Sequence, residues 1–512
     1  MTRRVVMVGG GYVTLHACIR LRRALRREIQ AGTVELVVIS ADEAHNFHGF
    51  TGEVLAGMMP LRRTRTPLDR ICRPATVIHA RVTTIDRQHR TVTYLPVASA
   101  ESRTLSYDEL IVGTGGREPV DVVPGLADHG FTLRGPGELG RFAAVVEQLS
   151  AAGEVGGRIV VAGGGLAGVE LASAIADRGR GRIAVDLVHA GEQVLPTLRA
   201  EHPSLARTAE RDLADLGVRV LSAVRLAAVT PTAAILSDGT ILPADAVLGV
   251  IGQRPVLIAG LGTDLRDPEG RLLAGPDLSV ADHVWAAGDA ARVRHLRTGL
   301  PVPANALWAI KGGAHVGTNV ARVLQGRPPR RFGYRGLGQA ASFGLGRSVA
   351  ELYGVPFTGP LAWVLRLSFF LRFMPSRRTA VGVLGDVGRV LGGKRFGADG
   401  RWHRPKPGQS VSPSVSPSVA LSMSPSMSPS MSPSVGDGRG SRRSDPMDVA
   451  SSSGSAPSAP RMVAAAGANP AESSRRFATP GTSPFSLVTH TPAAACQACA
   501  TSITALVAHN AT

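Results

Sequence analysis

Apolar and polar positions along this chain fall into one pattern that occurs twice. Val5-Val6-Met7-Val8 is a short apolar run that enters Gly9-Gly10-Gly11-Tyr12-Val13-Thr14. Ile159-Val160-Val161-Ala162 likewise enters Gly163-Gly164-Gly165-Leu166-Ala167-Gly168. Each run predicts a strand, and each glycine cluster opens a stretch that reads as a helix. A second strand follows each helix, over Val34–Ile39 and Ile183–Val188. Val77–Tyr94 predicts paired strands, Ala206–Leu216 a helix, and Asp238-Gly239 a hairpin turn. Strands alternating with helices predict an α/β fold built from two Rossmann-like dinucleotide-binding domains.

The glycine spacing says what such turns do. In G-x-G-x-x-G the first glycine permits the tight turn, and the second lets the backbone approach a pyrophosphate. The third lets helix and strand pack closely, while the helix N-terminus offers free N–H donors. Gly163, Gly165 and Gly168 fit fully; Gly9 and Gly11 fit, with Thr14 in the third place. A threonine there is expected to push the helix slightly off the strand. The strands that follow end at Ser40 and His189, where an acid commonly binds the ribose. Asp42, Glu43 and Glu192 stand close enough to substitute. Histidine at 189 lacks the charge that repels a 2′-phosphate.

With 512 residues the chain is too long for one ordinary domain. Its formal charge of +18 suggests an anionic partner, or a compositional bias of the chain. Cys18 and Cys72 read as isolated, and Cys496 and Cys499 form one C-x-x-C with no second pair to complete a zinc site. No metal site is expected. Met1-Thr2-Arg3-Arg4 leads straight into a strand without an apolar signal region, so the expected location is the cytoplasm.

Further motifs narrow the reading. GGGYVT, YDELIVGTGG (107–116), VVAGGGLAGVELASAIA (160–176), LGVIGQRP (248–255) and VWAAGDAA (284–291) together resemble flavoproteins with two dinucleotide-binding domains. The stretches 332–344 and 361–373 are similar to those of type II NADH dehydrogenases, the non-proton-pumping NADH:quinone oxidoreductases. The resemblance spans residues 4 to 390. It implies FAD on residues 1–119 and 250–330, and NADH on an inserted domain over 120–249. Hydride would pass from NADH, or NADPH, to FAD, and two electrons from there to a quinone. It implies Glu170 at the flavin–nicotinamide junction. The implied cofactor contacts are Gly9, Gly11, Thr14, Ser40, Thr114, Gly115, Gly163, Gly165, Gly168, His189, Gly252, Gly288 and Asp289. Asp289, at the start of a helical pattern, can accept from a ribityl hydroxyl. Residues 46–51 are expected as a loop near the flavin. The family's Ala-Gln pair is missing, with Asn305 or Ala306 near its place, which leaves the acceptor quinone open.

Residues 331–396 predict a membrane-associating region. Trp363, Phe369, Phe370 and Phe373 alternate there with Arg366, Arg372, Arg377 and Arg378. That mixture suits an amphipathic segment with aromatics inward and arginines toward anionic headgroups. Residues 397–512 are rich in serine and proline and predict a disordered tail. The expected partners are a quinone and an anionic membrane surface on the inner face of the cell membrane, not nucleic acid; a homodimer is left open. The competing activity is a soluble NAD(P)H-dependent reductase of a ferredoxin- or rubredoxin-like protein. Sulfide:quinone chemistry is set aside, because Cys18 and Cys72 do not match the places of its redox pair.

Overall fold

The computed structural model describes residues 2–135, 137–151, 156–397 and 399–404. From residue 405 on, the expected tail lies outside the described residues, as do Cys496 and Cys499. β1 (Arg3–Val8) feeds α1 (Tyr12–Ala24), and β2 (Val34–Ser40) runs parallel to β1. A short helix, α2 (Thr51–Leu55), precedes β3 (Thr76–Asp86), which lies parallel to β2. β4 (Thr91–Pro96) and β5 (Arg103–Ser106) extend the edge antiparallel, and β6 (Glu109–Val112) returns to the free side of β1. Flanked by strands on both sides, β1 has Val5, Val6 and Met7 wholly buried.

The chain then builds a second sheet. α3 (Glu138–Ala151), β7 (Gly157–Ala162), α4 (Leu166–Gly179), β8 (Ile183–Val188), β9 (Arg219–Leu221) and β10 (Ala246–Gly249) follow in turn. Their strands are parallel, in the order β9-β8-β7-β10. A three-stranded antiparallel sheet over 226–243 sits between β9 and β10 in the chain. β11 (Ser279–Ala281) and β12 (Val284–Ala286) then rejoin the first sheet, whose order becomes β11-β12-β6-β1-β2-β3-β4-β5. The expected α/β class holds, with one parallel sheet inserted between strands of the other.

α5 (Ala306–Leu324) lies on α1 with backbones nearly touching. A Cβ on Gly313 would stand 2.4 Å from Val13 O, and one on Gly317 would stand 2.6 Å from Ala17 O. Farther along, Gln325 Nε2 donates to Ala24 O at 3.2 Å, so the helices run parallel. Gly313-x-x-x-Gly317 is readable in the sequence, and small residues one helical turn apart are its signal for close packing. Cys18 and Cys72 are not isolated: Cys18 Sγ donates to Cys72 O at 3.1 Å, and both are buried. They look separate in the sequence because α1 and the turn after Leu68–Ile71 meet only in three dimensions.

The C-terminal part is a three-stranded antiparallel sheet and two helices. β13 (Gly338–Gly344), β14 (Arg347–Leu352) and β15 (Val355–Thr358) lead into α6 (Gly359–Phe373) and α7 (Arg377–Leu391). Phe396 then donates its N–H to Gly57 O at 2.8 Å and accepts from Arg178 Nη1 at 2.9 Å. Among the described residues no helix is long and apolar enough to cross a membrane.

Candidate active site

A cavity of about 440 Å³ is walled by all three parts of the chain. The first sheet contributes Gly11, Tyr12, Asp42, Thr114, Gly115 and Asp289, α4 contributes Leu166 and Glu170, and α6 contributes Arg366 and Phe370. The two glycine turns share one device. Gly9, at φ +103°, would place a Cβ 2.5 Å from Gly113 O, just past β6. Gly163, at φ +125°, would place one 2.3 Å from Val250 O, just past β10. Each turn is pressed against the strand beside it, and only glycine fits. A Cβ on Gly168 would stand 1.7 Å from Gly163 O. Thr14 holds the matching place in the first turn, fully buried. Room for it exists because residue 113 has no side chain: a Cβ there would lie 3.1 Å from Thr14 Oγ1.

Gly11 and Gly165 cap α1 and α4 without any side-chain hydrogen bond, and neither first turn holds an acid. Both helix N-termini therefore present unpaired N–H donors and positive dipole ends, which suits a pyrophosphate. Thr114 Oγ1 and Asp289 Oδ1 are buried at the cavity wall with no protein partner. Unmet polar atoms of this kind fit the hydroxyl-rich chain of FAD. Asp289 Oδ2 accepts from Arg134 Nη1 at 3.3 Å and from the Gln253 amide at 2.8 Å. Burial pushes the Asp289 carboxyl above its ordinary value, and Arg134 opposes the push.

The other expected contacts divide. Thr114 and Gly115 line the cavity, whereas Ser40 lies behind the first turn. A Cβ on Gly10 would meet Ser40 Oγ at 2.7 Å, and Ser40 Oγ accepts from Asp42 N at 3.1 Å. Asp42, two residues on, is the acid that reaches the cavity, while Glu43 turns toward His79. Gly252 is exposed beside the cavity rather than lining it, and its neighbour Gln253 makes the contacts. Gly288, at φ +66°, would place a Cβ 2.9 Å from Val13 Cγ2, so its role is packing against α1. The His189 ring stands under the second turn, where Nδ1 accepts from Gly164 N at 3.3 Å and Nε2 is buried without a partner. Residues 46–51 are no loop. A strand ends at Asn46, and a 3-10 turn over His48–Phe50 runs into α2. Tyr12 Oη accepts from His48 N at 3.0 Å and fastens this segment to α1. Asn305 and Ala306 both line the cavity, and Asn305 Oδ1 also caps α5 by accepting from Trp308 N at 3.0 Å.

Three charged side chains meet at the cavity's far wall. Glu170 Oε1 accepts from Arg366 Nη2 at 2.5 Å and from Ser342 N at 3.1 Å. The same guanidinium bonds Glu53 of α2 and donates to Gly49 O at 2.8 Å. It lies 4.6 Å from the centre of the Phe370 ring. Burial pushes Glu170 up to about 7; Arg366 pulls it down and Glu53 adds to the rise. Two carboxylates share one cation, so one of them holds a proton readily. The expectation that Arg366 faces headgroups is therefore corrected. It is buried, because no lipid surface could match two carboxylates as partners. Glu53 was not singled out in the sequence, and Arg366 was assigned to headgroups rather than to the site. The available signal was a single charge inside the apolar run Leu361–Leu371.

Comparison with known proteins agrees with this fold. Residues 3–313 match the model of the pyridine nucleotide-disulphide oxidoreductase family. The chain belongs to this family. Within it the resemblance to type II NADH dehydrogenases stands. The demethylphylloquinone reductase of Synechocystis sp. is 28% identical over 382 residues, covering 73% of this chain and 92% of that protein. A type II NADH:quinone oxidoreductase of Staphylococcus aureus is 24% identical over 437 residues, covering 77% and 99%. In three dimensions NDH2 from Plasmodium falciparum, solved in complex with NADH, superposes with a TM-score of 0.67 at 11% identity, over 76% of this chain and 98% of that one. As a member of the pyridine nucleotide-disulphide oxidoreductase family the chain is an oxidoreductase, and its cofactors are FAD and NADH. Among the described residues the only cysteines are Cys18 and Cys72, and neither lines the cavity.

Asp289→Ala is expected to weaken FAD retention by about tenfold to a hundredfold, the worth of one or two buried hydrogen bonds to a charged group. Flavin released on dialysis measures it. Wild-type retention would show that Asp289 Oδ1 does not meet the cofactor.

Proposed function

We propose that this protein transfers hydride from NADH or NADPH to FAD and passes two electrons to a quinone, without pumping protons. The supporting observation is that Glu170 of α4, the turn at Thr114 and Gly115, and α6 wall one cavity. We assign residues 1–119 and 250–330 to FAD and 120–249 to the nicotinamide dinucleotide. FAD, when bound, supplies a group that accepts hydride and gives up electrons in pairs. The chain's own part is placement and proton supply. The N-termini of α1 and α4 would each hold a pyrophosphate. Phe369, Phe370 and Leu365 would give an apolar wall for a quinone ring. Reduction of a quinone to its quinol takes two electrons and two protons; one proton comes with the hydride of NADH, and a carboxyl titrating near neutrality suits delivery of the other. Glu170 is that carboxyl. The names of the relatives support quinone as the acceptor, and the cyanobacterial one makes a naphthoquinone the first to try. We place the protein peripherally, on the inner face of the cell membrane.

The test is an anaerobic titration. The purified protein should be yellow, should bleach with NADH and should recover its colour on adding a naphthoquinone. A protein still colourless after FAD reconstitution, or bleached but blind to quinones, would overturn the proposal.

Cofactor choice provides a separate prediction. His189 brings no negative charge to the end of β8, so NADPH should be tolerated. His189→Glu is expected to lower the NADPH/NADH ratio of kcat/KM by about tenfold, through repulsion of the 2′-phosphate. If wild type already rejects NADPH and the variant matches it, another group selects.

A further inference from the structure

Between its two large sheets the chain crosses twice, outward after β6 and back after β10. The two crossings are bound to each other. Gly116–Arg117 on the way out pairs antiparallel with Arg254–Pro255 on the way back. Val256 N donates to Gly115 O at 3.4 Å, and a Cβ on Gly116 would stand 3.1 Å from Arg254 O. An exposed ion pair, Arg254 Nη1 to Asp121 Oδ2 at 3.0 Å, joins them as well.

Both crossings also reach Asp289, which follows β12 in the first sheet. Arg134 lies on the outward crossing shortly before α3, and Gln253 lies on the return. Asp289 Oδ2 accepts from both, from Arg134 Nη1 at 3.3 Å and from the Gln253 amide at 2.8 Å. The amide oxygen of Gln253 in turn accepts from Arg134 Nη2. Arg134 Nε also stands 3.8 Å from Glu118 Oε1, a buried carboxyl on the outward crossing. One guanidinium thus lies between that carboxyl and the half-buried Asp289. The second oxygen of Asp289, Oδ1, faces the cavity wall and has no protein partner. Gln253 itself does not line the cavity.

We propose that Gln253 is a positioning residue: with Arg134 it couples the occupancy of Asp289 by FAD to the placement of the second sheet, and so of the nicotinamide. A cofactor hydroxyl donating to Oδ1 favours the charged carboxylate. The charged form grips the Arg134 and Gln253 donors on Oδ2 more strongly. Because those donors belong to the two crossings, the grip stiffens both links to the second sheet at once. A dinucleotide that meets both sheets then loses less freedom on binding. Hydride transfer is sensitive to misplacement on the order of 1 Å, so stiff links also serve the reaction. Such coupling is reciprocal: a dinucleotide on the second sheet tightens FAD by the same factor as FAD tightens it. The inference rests on the proposed assignment of FAD to the first sheet and of the nicotinamide dinucleotide to the second.

The experiment is equilibrium dialysis of the full-length, FAD-loaded protein, with and without saturating NAD+, which binds without reducing the flavin. In wild type NAD+ should tighten FAD by about fivefold or more. Gln253→Leu removes both amide bonds, and the factor should fall below about twofold. The affinity of the FAD-loaded variant for NAD+ should drop to match, and its reduction by NADH should slow by about tenfold. Arg254→Leu is the structural control. It breaks the ion pair to Asp121 between the same two crossings but leaves Asp289 alone, so it should keep the wild-type factor. No tightening in wild type overturns the proposal. So does an unchanged factor in Gln253→Leu, or an equal loss in Arg254→Leu, which would make the coupling a matter of crossing strength alone. A protein that holds no FAD, or holds FAD but ignores NAD+, overturns the assignment of the two sheets instead.

Discussion

Replacing Arg366 by methionine is expected to cost about 3–5 kcal/mol of folding stability near pH 8, because it strands the buried carboxylate of Glu53 and the half-buried one of Glu170. The guanidinium is the cationic partner of both Glu53 and Glu170, and its side chain is only 3% exposed. Methionine keeps much of the volume, so the loss reports charge rather than a cavity. The dependence on pH follows from the shift of Glu170, whose folded value is about 7 against an ordinary 4.5. Between those values the folded protein holds a proton that the unfolded chain has released. Stability therefore falls as pH rises through that window and levels off above about 7. Without Arg366 the charged carboxylates lose their partner, the folded value climbs further, and the fall extends to higher pH. The deficit of Arg366→Met should accordingly be smaller at about pH 5.5 than at about pH 8. Urea denaturation at both values checks it. Equal deficits, or one under about 1 kcal/mol at the higher pH, would show that the three groups do not act as one buried ion cluster.

Gly168→Ala is expected to lower kcat/KM for NADH by about a hundredfold while bound flavin stays at its wild-type level. An alanine methyl would stand 1.7 Å from Gly163 O, far inside contact distance. To relieve it, α4 must move away from the second glycine turn by more than an ångström. That shift displaces the N–H donors facing the pyrophosphate, and it drags Glu170 one half-turn farther along the same helix. The first turn belongs to the other sheet and is untouched. Gly165→Ala should also slow reduction, for a different reason: a Cβ there meets no protein atom within 4 Å but stands where the backbone must approach the pyrophosphate. Stopped-flow reduction by NADH, with flavin content measured beside it, decides the matter. Reduction by Gly168→Ala at the wild-type rate would mean that the turn does not seat the nicotinamide dinucleotide.

What could be read from the chain alone was whatever a few neighbouring residues dictate. Gly9 and Gly163 adopt positive φ because their turns require it, and the strands before them are apolar because sheets bury both faces. Those features recur at fixed spacing and so announce the two dinucleotide turns without any coordinates, while Thr114 and Asp289 were legible through the resemblance of their motifs to two-domain flavoproteins. Glu170 was legible as part of that same helix start. The tertiary structure alone decided its surroundings. Glu53 lies 313 residues from Arg366 and Glu170 lies 196 from it, and no local pattern ties them. It also decided that Asp42 rather than Ser40 reaches the cavity, that Asn305 caps a helix, and that Cys18 and Cys72 touch. An arginine in an aromatic run reads as membrane-facing or as buried until its partners are known, since the run is the same in both. What separates the two is desolvation. A charge stays buried only where opposite charges and hydrogen-bond partners converge on it from elsewhere in the chain, and that convergence is a property of the fold.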